Sequence, residues 1–211
     1  MQSMKQSRLD ALADGIFAIV MTILVFDIHV PDFTSPTEQD LLLSLYRMYP
    51  LFLSYLLSFS LLFTYWRAHH FIVSVYAKGV DLKLTNINAL FFFFVALVPF
   101  SSNFLGRYSD YQTAVVIFAT NVILIGTTLY YMRRYVDVGP VGHQEISAKE
   151  ENHAYLRILF PLFCAYGAIF LSFLNIKLAM VFFTVGIIYN IFPGSTTITN
   201  AITKFLFRYE L

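Results

Sequence analysis

The stretch from Leu84 to Gly106, LTNINALFFFFVALVPFSSNFLG, holds no charged side chain and is bounded by Lys83 and Arg107. A helix that crosses the hydrocarbon core of a bilayer needs about 20 mostly apolar residues, each advancing it by about 1.5 Å. This stretch is long enough. Tyr111 to Met132 repeats the pattern between Asp110 and Arg133. Working outward, Met48 to Trp66 lies between Arg47 and Arg67, and Ile158 to Ile176 between Arg157 and Lys177. Leu178 to Thr203 follows, with Pro193-Gly194 placed to end or bend it. The first apolar run, about 9–30, carries Asp14 near one end and Asp27 near the other. The chain therefore reads as an all-α, single transmembrane domain over 1–211. Its six spans are expected at about 9–30, 45–69, 84–106, 110–133, 155–175 and 177–193.

The composition agrees. The chain is 58% hydrophobic and 13% charged, where a soluble domain carries about a quarter charged residues. With 23 Phe and 14 Tyr, most of its surface is expected to face something other than water. A net charge of +1 points to no nucleic acid or acidic partner. The single cysteine, Cys164, excludes an intramolecular disulfide and a thiolate cluster. It reads as an inert packing residue. The first apolar run lacks a small-residue cleavage site, so it is expected to stay as the first span.

The loops set an orientation. With the N-terminus inside, the inner segments hold Lys5, Arg8, Arg67, Lys78, Lys83, Arg133, Arg134, Lys149, Arg157, Lys204 and Arg208. The outer ones hold Arg47, Arg107 and Lys177. Eleven cations against three is a clear positive-inside bias. It favours an even number of spans with both termini cytoplasmic, and a multi-pass place in the cell membrane is expected. Residues 31–40 read as a short acidic outer loop and 134–154 as a cytoplasmic linker. Residues 195–211 read as an interfacial helix or an extension of the last span.

Polar groups at membrane depth are costly and call for a reason. Arg8 and Asp14 start the first span at the inner side. Trp66, Arg67, His69 and His70 end the second there, and Asn86 and Asn88 begin the third. Arg8 and Asp14, six residues apart, stand on different helix faces and need partners on neighbouring helices. Asp14 is placed in the first turn or two, where the helix dipole favours a carboxylate. The cluster reads either as a structural clasp or as a support for a pore. A metal site is disfavoured, because the adjacent His69 and His70 diverge by about 100°. On the first span Ile19, Ile23 and Phe26 form one stripe, with Thr22 beside it and Val30 continuing it. Packing alone accounts for such a stripe. Repeated around an oligomer, however, Asp27 makes a ring of carboxylates that gathers cations, and an apolar ring beneath it can gate by dewetting.

The segment Arg8-Leu9-Asp10-Ala11-Leu12-Ala13-Asp14 resembles the Arg-x-x-x-Phe-Ser-Asp signature of the transmembrane protein 175 family of potassium channels, in its single-repeat prokaryotic type. Trp66-Arg67-Ala68-His69-His70 is similar to the family's Trp-Arg-x-His-His stretch. Asn88-Ala89-Leu90-Phe91 leading to Val98-Pro99-Phe100 is similar to its third helix. Leu12 and Ala13 stand where the family has Phe and Ser. Leu12 can still pack, whereas Ala13 loses a hydroxyl. The resemblance implies a homotetramer whose first helices line a central pore, with passive, potassium-preferring conduction and no carbonyl filter. It implies a pore constriction at Ile19, Ile23 and Phe26 and a selectivity-linked hydroxyl at Thr22. Asp27 is then the outer-mouth acid. A network of Arg8, Asp14, Trp66, His69, His70 and Asn88 holds helix one.

The expected function is thus a potassium-permeable, modestly selective channel and not an enzyme. Its partners are further copies of itself, the lipid bilayer and monovalent cations. It needs no cofactor and no metal beyond permeant potassium. A secondary transporter or proton-conducting pathway is the alternative, since histidines can relay protons, but inverted repeats and paired broken helices are lacking. A structural membrane protein is a further one. For an intramembrane enzyme, no credible Ser, His and acid grouping shares a membrane layer.

Overall fold

A computed structural model describes residues 5–142, 145 and 148–191. Among the described residues there are eight α-helices. Helix α1 spans Gln6–Ile23 and tightens into a 3₁₀ turn over Leu24–Asp27. Helix α2, Glu38–Arg47, starts from a capping box: the Thr37 hydroxyl accepts from the Asp40 amide, and the Asp40 carboxylate accepts from the Thr37 amide and hydroxyl. Those bonds favour the ionised form and hold the Asp40 carboxyl below its ordinary range. Helix α2 buries no residue. Helix α3, Tyr49–His70, has a proline in its first turn, where no amide is lost, and runs into a π turn over Phe71–Tyr76.

Helix α4, Leu82–Ala96, is capped by Asp81, which accepts from the Leu84 amide at 2.8 Å. It gives way at Leu97 to α5, Val98–Arg107. The stretch read as one uninterrupted span is therefore a broken pair. Pro99, in the first turn of α5, lacks the amide that would have continued the ladder from α4. Helix α6 runs Gln112–Val138, α7 Ala148–Ser172 with Pro161 inside it, and α8 Ile176–Ile191.

Among the described residues, five segments are long and apolar enough to cross a membrane: Gln6–Asp27, Tyr49–Tyr76, Leu82–Arg107, Gln112–Val138 and Tyr155–Ser172. Where the sixth span is expected, the described residues hold a shorter apolar helix, Ile176–Tyr189. Its expected end at 192–193, and the segment 195–211, lie outside the described residues.

Side-chain bonds show which helix ends meet. At one end, Gln6 donates to the Val73 carbonyl, Ser74 to Asp10, Tyr76 to Asp137 and Tyr135 to Asp81. At the other, Asn103 donates to Asp27 and Gln112 to Ser172. The first end also carries Lys5, Arg8, Lys78, Lys83 and Arg134, and is called the basic end below. The centre is built on α3, whose Leu57, Leu61, Leu62 and Tyr65 are fully buried. Polar pins cross it: Ser58 donates to Ser102 at 2.8 Å, Tyr65 to the Val122 carbonyl at 3.1 Å, and Asn121 to Ser101 at 3.2 Å.

Arg133 departs from its sequence reading as a loop cation. It is fully buried on α6. Its guanidinium lies 3.3 Å from the Tyr76 ring centre, with Tyr155 at 5.2 Å and Phe71 at 5.7 Å. Asp137, one turn on, is 3.8 Å away. Aromatic faces and a carboxylate together replace the water that the charge has left.

One glycine decides a close approach. A Cβ on Gly126 would lie 1.8 Å from Leu162 and 3.1 Å from the Tyr65 hydroxyl. Gly126→Ala is therefore expected to wedge α6 from α7 and cost about 1–3 kcal/mol. A lower melting temperature in detergent would show it.

Candidate pore face and its supporting network

Helix α1 has two apolar stripes, and the rest of the chain covers only one. Leu9, Ala13, Phe17, Val20 and Leu24 are buried at helical spacing. The Phe17 ring centre lies 6.0 Å from that of Phe91 on α4. Two residues on from Phe17, about 200° round the helix, Ile19 is 59% exposed. Ile23 and Phe26 are exposed with it. The stripe picked out by periodicity is the one the chain leaves bare. Leu12 also lies on this side, half exposed. Ala13 sits in the core, where the missing hydroxyl leaves no unmet donor.

Thr22 is exposed on the same helix. Its hydroxyl reaches the carbonyls of Ala18 and Ile19 at 2.8 and 2.9 Å. The proton is thus directed into the helix, and the oxygen lone pairs face outward, where a cation can use them. Phe26 and Asp27 stand on the 3₁₀ turn, because the regular α-helix ends at Ile23. Asp27 accepts from Asn103 of α5 at 2.7 Å. Nothing in the sequence singled out Asn103. Its only signal is an amide in an apolar span.

The expected six-member network separates into two clusters and leaves out one residue. The first is Asp14, Trp66 and His70: the Trp66 indole donates to Asp14 at 2.8 Å and stacks on His70 at 6.2 Å. Asp14 lies more than two turns into α1, which begins at Gln6. The dipole effect fades within the first turn, so the indole, and not the helix end, holds this carboxylate. The second cluster is buried. His69 Nε2 lies 2.6 Å from the Asn88 carbonyl oxygen, and the Asn88 amide donates to Leu84 at 2.8 Å. That arrangement makes Nε2 the protonated nitrogen. Phe91 stacks on the imidazole at 5.3 Å. His69 and His70 thus serve different clusters. Arg8 is exposed, and among the described residues it forms no ion pair.

Asn88→Ala is expected to strand the His69 donor and cost about 1–3 kcal/mol, whereas replacing both partners by apolar residues should cost less. Thermal unfolding in detergent measures both. Among the described residues, no group of three or more His, Cys, Asp or Glu could hold a metal ion.

The family model described as endosomal/lysosomal potassium channel TMEM175 matches residues 8–99. Over these residues the chain resembles the TMEM175 family. That segment contains the bare stripe of α1 and both clusters. A solved TMEM175 homologue from Chamaesiphon minutus, described as a lysosomal potassium-selective channel homologue, superposes with a TM-score of 0.73. It shares 26% identity over 88% of this chain and 95% of that one. A protein of the same organism named a potassium channel is 35% identical over 109 residues, 52% of this chain and 53% of its own length. A Streptomyces collinus protein, also named a potassium channel, is 29% identical over 66% of this chain and 67% of its own. Human TMEM175, named an endosomal/lysosomal proton channel, is 31% identical over 46% of this chain and 20% of its own. The match thus spans between half and two thirds of these bacterial relatives. The family and these relatives are ion channels, not enzymes.

Proposed function

We propose that this chain is a subunit of a potassium-permeable cation channel. Four copies assemble with α1 of each lining a central pore, in a bacterial-type inner membrane with the basic end in the cytoplasm. The observation that carries the proposal is the bare apolar stripe of Ile19, Ile23 and Phe26, on the segment that matches the TMEM175 family.

The geometry suggests how conduction works. Potassium gathers at the outer mouth near Asp27, whose carboxylate Asn103 aims. It passes Phe26 and Ile23 still partly hydrated, because hydrocarbon cannot replace water as a ligand. The outward lone pairs of Thr22 offer weak coordination one turn above Ile19. Ile19 closes the path by dewetting. Selectivity is modest, since it comes only from the lower cost at which potassium sheds water compared with sodium. Helix α1 must move for the path to open, and the Asp14–Trp66 bond ties it to α3 and biases that motion.

The name of the human relative and the Asp14–Trp66–His70 cluster support a second reading, a proton pathway. Current through planar bilayers with potassium on one side and sodium on the other separates the two. Reversal toward the potassium potential supports the channel. A current that follows only an imposed pH gradient supports the proton pathway, and an intact oligomer without current contradicts both.

A further inference from the structure

A second feature involves no residue of α1. Helices α4 and α6 leave a groove of about 490 Å³ between them, lined by Lys83, Ile87 and Leu90 on one side and by Thr128, Tyr131 and Arg134 on the other. The helices run antiparallel, so Lys83 and Arg134 stand together at the basic end. Leu90 and Thr128 lie deeper. Seven residues separate Lys83 from Leu90, about 10 Å along the axis.

The two cations are not committed elsewhere. Both are exposed, and among the described residues neither forms an ion pair. The nearby carboxylate of Asp81 already accepts from the Leu84 amide and from the Tyr135 hydroxyl. Lys83 leans over the Tyr135 ring, its nitrogen 4.8 Å from the centre. The mouth thus presents two positive charges and the depth presents hydrocarbon.

We propose that this groove binds an anionic phospholipid, its phosphate between Lys83 and Arg134 and an acyl chain along Ile87, Leu90 and Tyr131. A soluble anion would use the mouth and leave the apolar floor empty. A zwitterionic lipid such as phosphatidylcholine offers a phosphate too, but brings its own ammonium against the two cations. Only a lipid with a net negative head satisfies both. The site rests on the chain lying in a bilayer with this end at an interface, and not on conduction.

Native mass spectrometry of the full chain tests it, by retention of phosphatidylglycerol against phosphatidylcholine. The Lys83→Gln/Arg134→Gln pair is expected to lower phosphatidylglycerol affinity by about 25-fold, at about fivefold for each cation near a membrane surface. Leu90→Trp, which fills the floor and keeps both charges, should also lower it. A charge-matched control at the far end, Arg107→Gln/Lys177→Gln, should leave it unchanged. Equal retention by wild type and the groove pair would overturn the proposal, as would an equal loss in the control. Full competition by glycerol phosphate, a head without chains, would reduce the site to an anion site and also overturn it.

Discussion

Ile19→Asn is expected to raise single-channel current several-fold and to blur the preference for potassium over sodium. In the proposed tetramer, four isoleucines meet at the narrowest ring, and the barrier there is the cost of keeping water in an apolar passage. Four amides bind water, so the ring stays wet. Lowering the barrier by about 1.4 kcal/mol raises current about tenfold. Selectivity falls because both ions then pass with more of their hydration shells intact. Because Ile19 is 59% exposed in the subunit, the change should leave the fold alone, with an effect on stability within about 0.5 kcal/mol. Single-channel recording beside a melting curve separates the two effects. An unchanged current in a stable oligomer would remove Ile19 from the constriction.

Asp137→Ala is expected to be the most damaging single change to the fold. Asp137 accepts from Tyr76 and Tyr155 and faces the guanidinium of Arg133. Its removal takes the carboxylate from a fully buried cation and strands two phenol donors at once. Breaking a buried pair on one side costs about 3–5 kcal/mol. The double change Arg133→Met/Asp137→Leu should be much milder, because no charge is then left inside. Melting temperature in detergent, with recovery of assembled oligomer, reads both. Equal losses in the single and double variants would show that the two phenol hydrogen bonds, lost in both, carry the cost and the buried charge does not.

These residues also mark how far the sequence could be read. Charged residues at the ends of apolar runs located the membrane-length helices, because a charge is costly in lipid. Arg133 broke that logic. It was counted as a loop cation, yet it lies on α6 because Tyr76 and Tyr155, distant in sequence, form its cage. The i, i+4 spacing of Arg133 and Asp137 was the only local hint. On α1, hydropathy could not rank the two apolar stripes, since lipid, pore and core are all served by similar side chains. The one-residue offset between His69 and His70 was legible, but not which partner each would find. The break at Leu97 was signalled by Pro99, inside a run otherwise apolar enough to read as continuous. Asp14 lies deeper in the helix than its reading places it, because α1 begins at Gln6 without a side-chain cap to mark the start.

The central claim is that the bare face of α1 lines a cation pathway. Cysteine accessibility tests it most directly, in a Cys164→Ser background so that each thiol is the only one. Ile23→Cys and Val20→Cys place it on the exposed and buried faces of the same helix. A positively charged methanethiosulfonate reagent, added during recording, is predicted to block current through the Ile23→Cys channel and to leave the Val20→Cys channel unaffected. Block at Val20→Cys with none at Ile23→Cys would contradict the account and move the pathway to another face of the subunit.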